Sequence, residues 1–91
     1  MMASPRVQGG RSTAGSVTHR QGQYLAYIYY YTKVHRIPPS ENEIAEFFGV
    51  EGLSAHQMIL TLEAKRLLSR TPGQPRTLRV LPPRAEIPDL E

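Results

Sequence analysis

The chain has 91 residues, with 11 Lys plus Arg against 8 Asp plus Glu, a net charge of +3 and no Cys. This length fits one small domain with a modest core. The lack of Cys excludes disulfides, thiolate nucleophiles and Cys-built zinc sites, and no apolar run approaches the roughly 20 residues that span a bilayer.

The N-terminus has no apolar h-region, so no secretory signal is expected and a cytoplasmic setting is the default. Charge is segregated along the chain. Residues 1–36 hold five cations and no acid, residues 37–63 five Glu and no cation, and residues 64–81 five cations and no acid. Such a pattern predicts basic surfaces at both ends of the sequence and a separate acidic face.

Residues 1–17 are rich in Gly, Ser and Arg without apolar periodicity, and read as a disordered basic arm with Arg6 and Arg11. A first helix starts at Thr18, or alternatively at His19 or Arg20. Tyr24/Leu25, Ile28 and Tyr31/Thr32 recur at steps of three and four, the stripe of an amphipathic helix. Tyr24 and Tyr31 read as core, whereas Tyr27, Tyr29 and Tyr30 cannot all be buried by one stripe. An exposed subset fits a dimer seam or another protein contact better than a platform for stacked bases.

Ile37-Pro38-Pro39 stops the helix. Ser40 then caps a second one, with Glu43 three residues on completing a capping box, and Glu41 and Glu43 suit the positive end of the helix dipole. Ile44, Ala45, Phe47 and Phe48 form its inner side, and Gly49 ends it. Leu53 or Ser54 opens a third helix, whose inner face is Ala55, Met58/Ile59 and Leu62. Residues 68–71 and 76–81 read as two strands joined at Pro72-Gly73, the central pair of a type II turn. The last segment, 82–91, holds three Pro and reads as an unstructured tail. The fold class is therefore α+β, mostly α: a three-helix winged helix-turn-helix over residues 18–81 with a C-terminal β-hairpin wing.

The residues from Thr18 to Gln21, the stretch from Ile37 to Gly49 and the run from Leu62 to Leu68 resemble the N-terminal DNA-binding domain of LexA-type repressors. The resemblance covers residues 18–81 and implies sequence-specific binding of double-stranded DNA in transcriptional regulation. It departs from the family pattern in three respects. The sequence stops at Glu91 without the family's self-cleaving peptidase domain, so autoproteolysis and the dimerisation that domain supplies are not carried over. The family usually has Gly where Arg66 stands, and a left-handed residue there costs Arg about 1 kcal/mol. The turn before the third helix is one residue shorter than in the best-known members.

In this reading the third helix lies in the major groove. Ser54, His56, Gln57 and Thr61 face outward as candidates for reading bases. Gln57 leads, because an amide pairs bidentately with adenine. His56 could donate to guanine or a phosphate, and Ser54 also reads as a simple helix cap, which would itself present backbone N–H groups to a phosphate. The bland alternative makes all four ordinary solvated residues.

Arg70, Gln74, Arg76 and Arg79 are the wing's candidates for the DNA backbone or minor groove, against the alternative that a thin hairpin needs charge for solubility. Arg20, Ser40 and Lys65 complete the backbone candidates. No cofactor is expected. His19, His35 and His56 lack metal-ligand spacing, no Gly-rich loop cradles phosphate, and an enzyme is not expected. The acidic second helix and the surplus Tyr favour a competing reading, a winged-helix adaptor that binds protein.

Overall fold

The structure, a computed structural model, describes residues 17–91. The arm expected over residues 1–17, with Arg6 and Arg11, lies outside the described residues except for Val17. Three α-helices come first, α1 (His19–His35), α2 (Glu41–Phe48) and α3 (Gly52–Ala64), followed by strands β1 (Leu68–Ser69) and β2 (Arg79–Val80). This is the winged helix-turn-helix order expected from the sequence. No helix among the described residues is long and apolar enough to cross a membrane.

Local chemistry sets the helix ends. Thr18 caps α1 and shares a capping box with Gln21, and Ser40 does the same for α2 with Glu43. Gly49 ends α2 in the left-handed region at φ +66°, and the Gly49 and Val50 N–H groups turn back to the Glu46 and Ala45 carbonyls. The third helix opens at Gly52 rather than at Leu53 or Ser54. Its N-cap, Glu51, makes no side-chain hydrogen bond, so no capping residue marks this start.

At the other end of α3, Arg66 stands at φ +62°. Its N–H donates to the Glu63 carbonyl (3.0 Å), and the Leu67 N–H donates to that of Leu62 (3.0 Å). This Schellman closure usually employs glycine, and it drops Leu67 and Leu68 into the core.

Tyr24, Leu25 and Ile28 of α1, Ile44 and Ala45 of α2, and Ala55, Ile59 and Leu62 of α3 form the core with Leu67, Leu68 and Leu78. The Tyr24 and Phe48 rings stack at 4.2 Å. Met58, expected on the inner face beside Ile59, is only half-buried. Phe47 is 48% exposed, its ring stacked outside the core on Tyr27. Tyr31, expected as core, is also half-buried, because its hydroxyl reaches outward to accept a hydrogen bond from Arg76.

The hairpin pairs only Leu68 with Val80 and Ser69 with Arg79, short of the strands expected over 68–71 and 76–81. Beyond Ser69 side chains replace the ladder. The Thr77 hydroxyl accepts from the Thr71 N–H (2.9 Å) and donates to the Gln74 carbonyl (3.1 Å). The Pro72-Gly73 turn forms as expected, with Gly73 at φ +80° and the Gln74 N–H donating to the Thr71 carbonyl (3.1 Å). Arg76 pins the returning arm to α2. Its guanidinium grips both Glu43 oxygens (2.9 and 3.0 Å) and donates to the Pro38 carbonyl (3.2 Å).

Residues 82–91, expected to be unstructured, instead lie along α1. After a short 3-10 turn at Arg84–Glu86, Ile87 is buried. Pro88 sits where a side chain at Gly22 would fall, 3.1 Å from the place of its Cβ. The Gln23 amide clamps the backbone, donating to the Asp89 carbonyl (2.9 Å) and accepting from the Glu91 N–H (2.7 Å). His19 meets the Glu91 carboxylate at 3.1 Å. Proline fixes an extended path without requiring disorder, and this cover helps to bury Gly22 and Gln23 on the side of α1 that it crosses.

Two outcomes follow. Replacing Arg66 with Gly relieves a left-handed conformation and should raise unfolding stability by about 1 kcal/mol, read by urea denaturation; a loss of stability would contradict the strain. The second concerns acid. The Arg76 guanidinium foremost, then the Ser40 backbone N–H, hold the Glu43 carboxyl down from 4.5 to about 2. A depressed carboxyl stabilises the fold above its unfolded value and loses that contribution as pH falls through the folded one. The melting-temperature gap between wild type and Glu43→Gln should therefore shrink steadily from pH 5 toward pH 2. A gap independent of pH would show that the ion pair contributes nothing.

Candidate nucleic-acid interface

Burial of Ala55, Ile59 and Leu62 turns the opposite side of α3 to solvent. Ser54, Gln57 and Thr61 are exposed there, as expected from the helical period. With Gln21, Leu53 and Met58 they line an open groove of about 430 Å³. The Thr61 hydroxyl donates to the Gln57 carbonyl (3.0 Å), which leaves its oxygen as an acceptor only, beside its methyl.

Lys65, just past α3, donates to Gln21 Oε1 (3.0 Å) and so stands at the same end of the groove. Arg20, exposed on the first turn of α1, lies over the rings of Phe48 (5.2 Å) and Tyr24 (5.9 Å). This face therefore carries uncharged polar and apolar groups, with one cation, Lys65, bonded to a residue that lines it.

The other expected residues gather elsewhere. Ser40, His56, Arg70, Gln74 and Arg76 line a separate cleft of about 390 Å³ between the wing turn and the start of α2. Most are already engaged. His56 Nδ1 lies 2.9 Å from Glu41 Oε1, Arg70 Nε bonds Glu63 (3.2 Å), Ser40 caps α2, and Arg76 holds Glu43. Arg76, read from sequence as a wing contact to DNA, is thus the wing's anchor to the body. Arg70 is balanced by an acid seven residues before it. Gln74 is exposed at the turn. Arg79 is exposed too, but lines a third groove with Tyr29, Thr32 and Lys33, so it belongs to the side of α1 rather than to the wing tip.

Three residues escaped the sequence reading. Leu53, assigned only as a helix start, is 68% exposed and lines the groove four residues before Gln57. Leu60, unassigned, is 39% exposed. The step of four from Gln57 back to Leu53 was the available signal. Gln21, read as part of the α1 opening, joins that groove to Lys65. Among the described residues no cluster of three or more His, Asp or Glu could hold a metal ion.

The sequence matches the family described as the LexA DNA binding domain over residues 15–77. It is 34% identical over 73 residues to the LexA repressor of Koribacter versatilis (strain Ellin345), covering 79% of this chain and 35% of that protein. It is 41% identical over 76 residues to the LexA repressor of Nocardioides sp. (strain ATCC BAA-499 / JS614), covering 81% of this chain and 30% of that one. The chain thus spans about a third of the length of these relatives. With its three helices, tight turn and pinned hairpin, it belongs to the LexA DNA-binding domain family.

Proposed function

We propose that this domain binds double-stranded DNA sequence-specifically and serves as the operator-reading module of a transcriptional repressor, with α3 in the major groove. The observation that carries this reading is the uncovered outer face of α3, where Ser54, Gln57 and Thr61 share one groove. Family membership and the name repressor borne by both relatives support it.

In this arrangement Gln57 pairs with adenine N6 and N7, while Arg20 and Lys65 approach the phosphates on either side. His56 acts through Glu41, steadying α3 against α2 rather than reaching guanine. Gln74 is the wing residue left for the backbone. One module meets few base pairs, so two copies on a two-part site supply the useful affinity. Tyr29 and Tyr30, half-buried and packed edge to face at 5.1 Å, offer a surface for the second copy or a partner protein. The domain acts by binding, without catalysis or cofactor.

One observation favours the adaptor reading. The outer face of α3 is neutral, with Leu53 and Leu60 exposed, and most wing cations are paired. DNA remains preferred because Lys65 is bonded to a residue of the groove and the family is defined by DNA binding.

Two measurements separate the readings. Gln57→Ala should cut the preference for the selected site over random DNA by about 1–3 kcal/mol while leaving random-DNA affinity unchanged. An unaltered preference would mean that Gln57 reads no base. Binding should also weaken steeply with salt, and Lys65→Ala should lower the slope of log K against log salt by about one. A flat salt dependence favours the adaptor.

A further inference from the structure

The chemistry of the α3 outer face narrows what it can read. Guanine is grasped in the major groove mainly by Arg or Lys, and cytosine is read by Asp or Glu. From Gly52 to Ala64 the helix has no Arg or Lys, and its one acid, Glu63, bonds Arg70. His56, the remaining donor suited to guanine, bonds Glu41 through Nδ1 (2.9 Å) and lines the cleft beside the wing rather than the α3 groove. What faces outward is one amide, two aliphatic side chains and two hydroxyl residues. Of the last, Thr61 gives its one O–H donor to the Gln57 carbonyl and keeps its oxygen only as an acceptor. An amide suits adenine, and an apolar group suits the 5-methyl of thymine.

Leu53 is the most exposed of the apolar side chains on this face, at 68%, and shares the groove with Gln57. Four residues of helix rise about 6 Å, close to two base steps of about 3.4 Å each. A leucine and an amide at that spacing therefore meet pairs about two steps apart in one half-site.

We infer that the outer face of α3 reads A·T pairs through thymine 5-methyl groups, with Leu53 as the specificity-determining residue that contacts a methyl beside the adenine-reading Gln57. The inference rests on the DNA-binding reading above and adds the bases it prefers. Leu53 makes no core contact, so its truncation to Ala removes the docking surface and leaves the fold intact.

The test starts from the duplex that the full chain selects from a random pool. Each thymine of the half-site is replaced in turn by uracil, which deletes only the 5-methyl, and binding is followed by fluorescence anisotropy. At least one replacement should weaken wild-type binding roughly fourfold, the equivalent of one buried methyl-sized group. Leu53→Ala should abolish that penalty at an unchanged melting temperature, and Gln57→Ala should retain it.

A selected site lacking A·T pairs, a uracil series without effect, or an equal penalty in Leu53→Ala would each overturn the inference while DNA binding stands. If Leu53→Ala alters self-association by sedimentation and not DNA affinity, Leu53 belongs to a contact between copies and the inference falls. Failure to bind any duplex at low ionic strength overturns the DNA-binding reading together with the inference.

Discussion

A helix packed on one side must show the other, and the domain depends on how that choice is made for α3. Ala55, Ile59 and Leu62 are each fully buried against α1 and α2. With 3.6 residues per turn, this leaves Leu53, Gln57 and Thr61 no route inward. The outer face is thus selected by the core and needs no hydrogen bond to hold it out. The closure at Arg66 and the start at Gly52 then bound the length of helix offered to a partner.

Charge is used differently from what the net value of +3 suggests. Two arginines of the wing are committed within the molecule, Arg76 to Glu43 and Arg70 to Glu63, and on α3 the His56 ring is hydrogen-bonded to Glu41. The acids of α2 therefore do not form a separate acidic face, because two of them are bound to side chains from later in the chain. What the wing loses in attraction for a polyanion it gains in definition, since a hairpin with two paired positions has little of its own to hold its shape. Such partly exposed pairs are weak singly, but Arg76 grips a carboxylate with both arms while it also reaches Pro38 and Tyr31.

Features encoded by neighbours were legible in the sequence. The capping boxes at Thr18 and Ser40 involve residues three apart, and the Pro72-Gly73 turn is read from its own two residues. The outward set Ser54, Gln57 and Thr61 follows from the period of the buried stripe. Features set by distant partners were not legible. The Arg76–Glu43 pair spans 33 positions, and nothing local distinguishes an arginine that will anchor from one that will meet phosphate. The start of α3, expected at Leu53 or Ser54, lies one or two residues earlier at Gly52, because Glu51 offers no side-chain cap. The final ten residues were misread because their prolines resemble those of a linker. The partner that orders them, Gln23, is a buried amide 66 positions from Asp89.

That docked segment has a practical consequence. Glu91 lies beside His19 at 3.1 Å, so the first and last described stretches lie together at the first turn of α1. A fluorophore or affinity tag joined at residue 91 would sit against the first turns of α1, where Glu91 meets His19 and Gln23, and not among the residues that line the α3 groove. A label at the exposed Gly73 turn lies in the other cleft. The same proximity makes a short bridge between the two stretches cheap in chain entropy. A circularised form reopened at the Gly73 turn is thus a reasonable permutation of the chain.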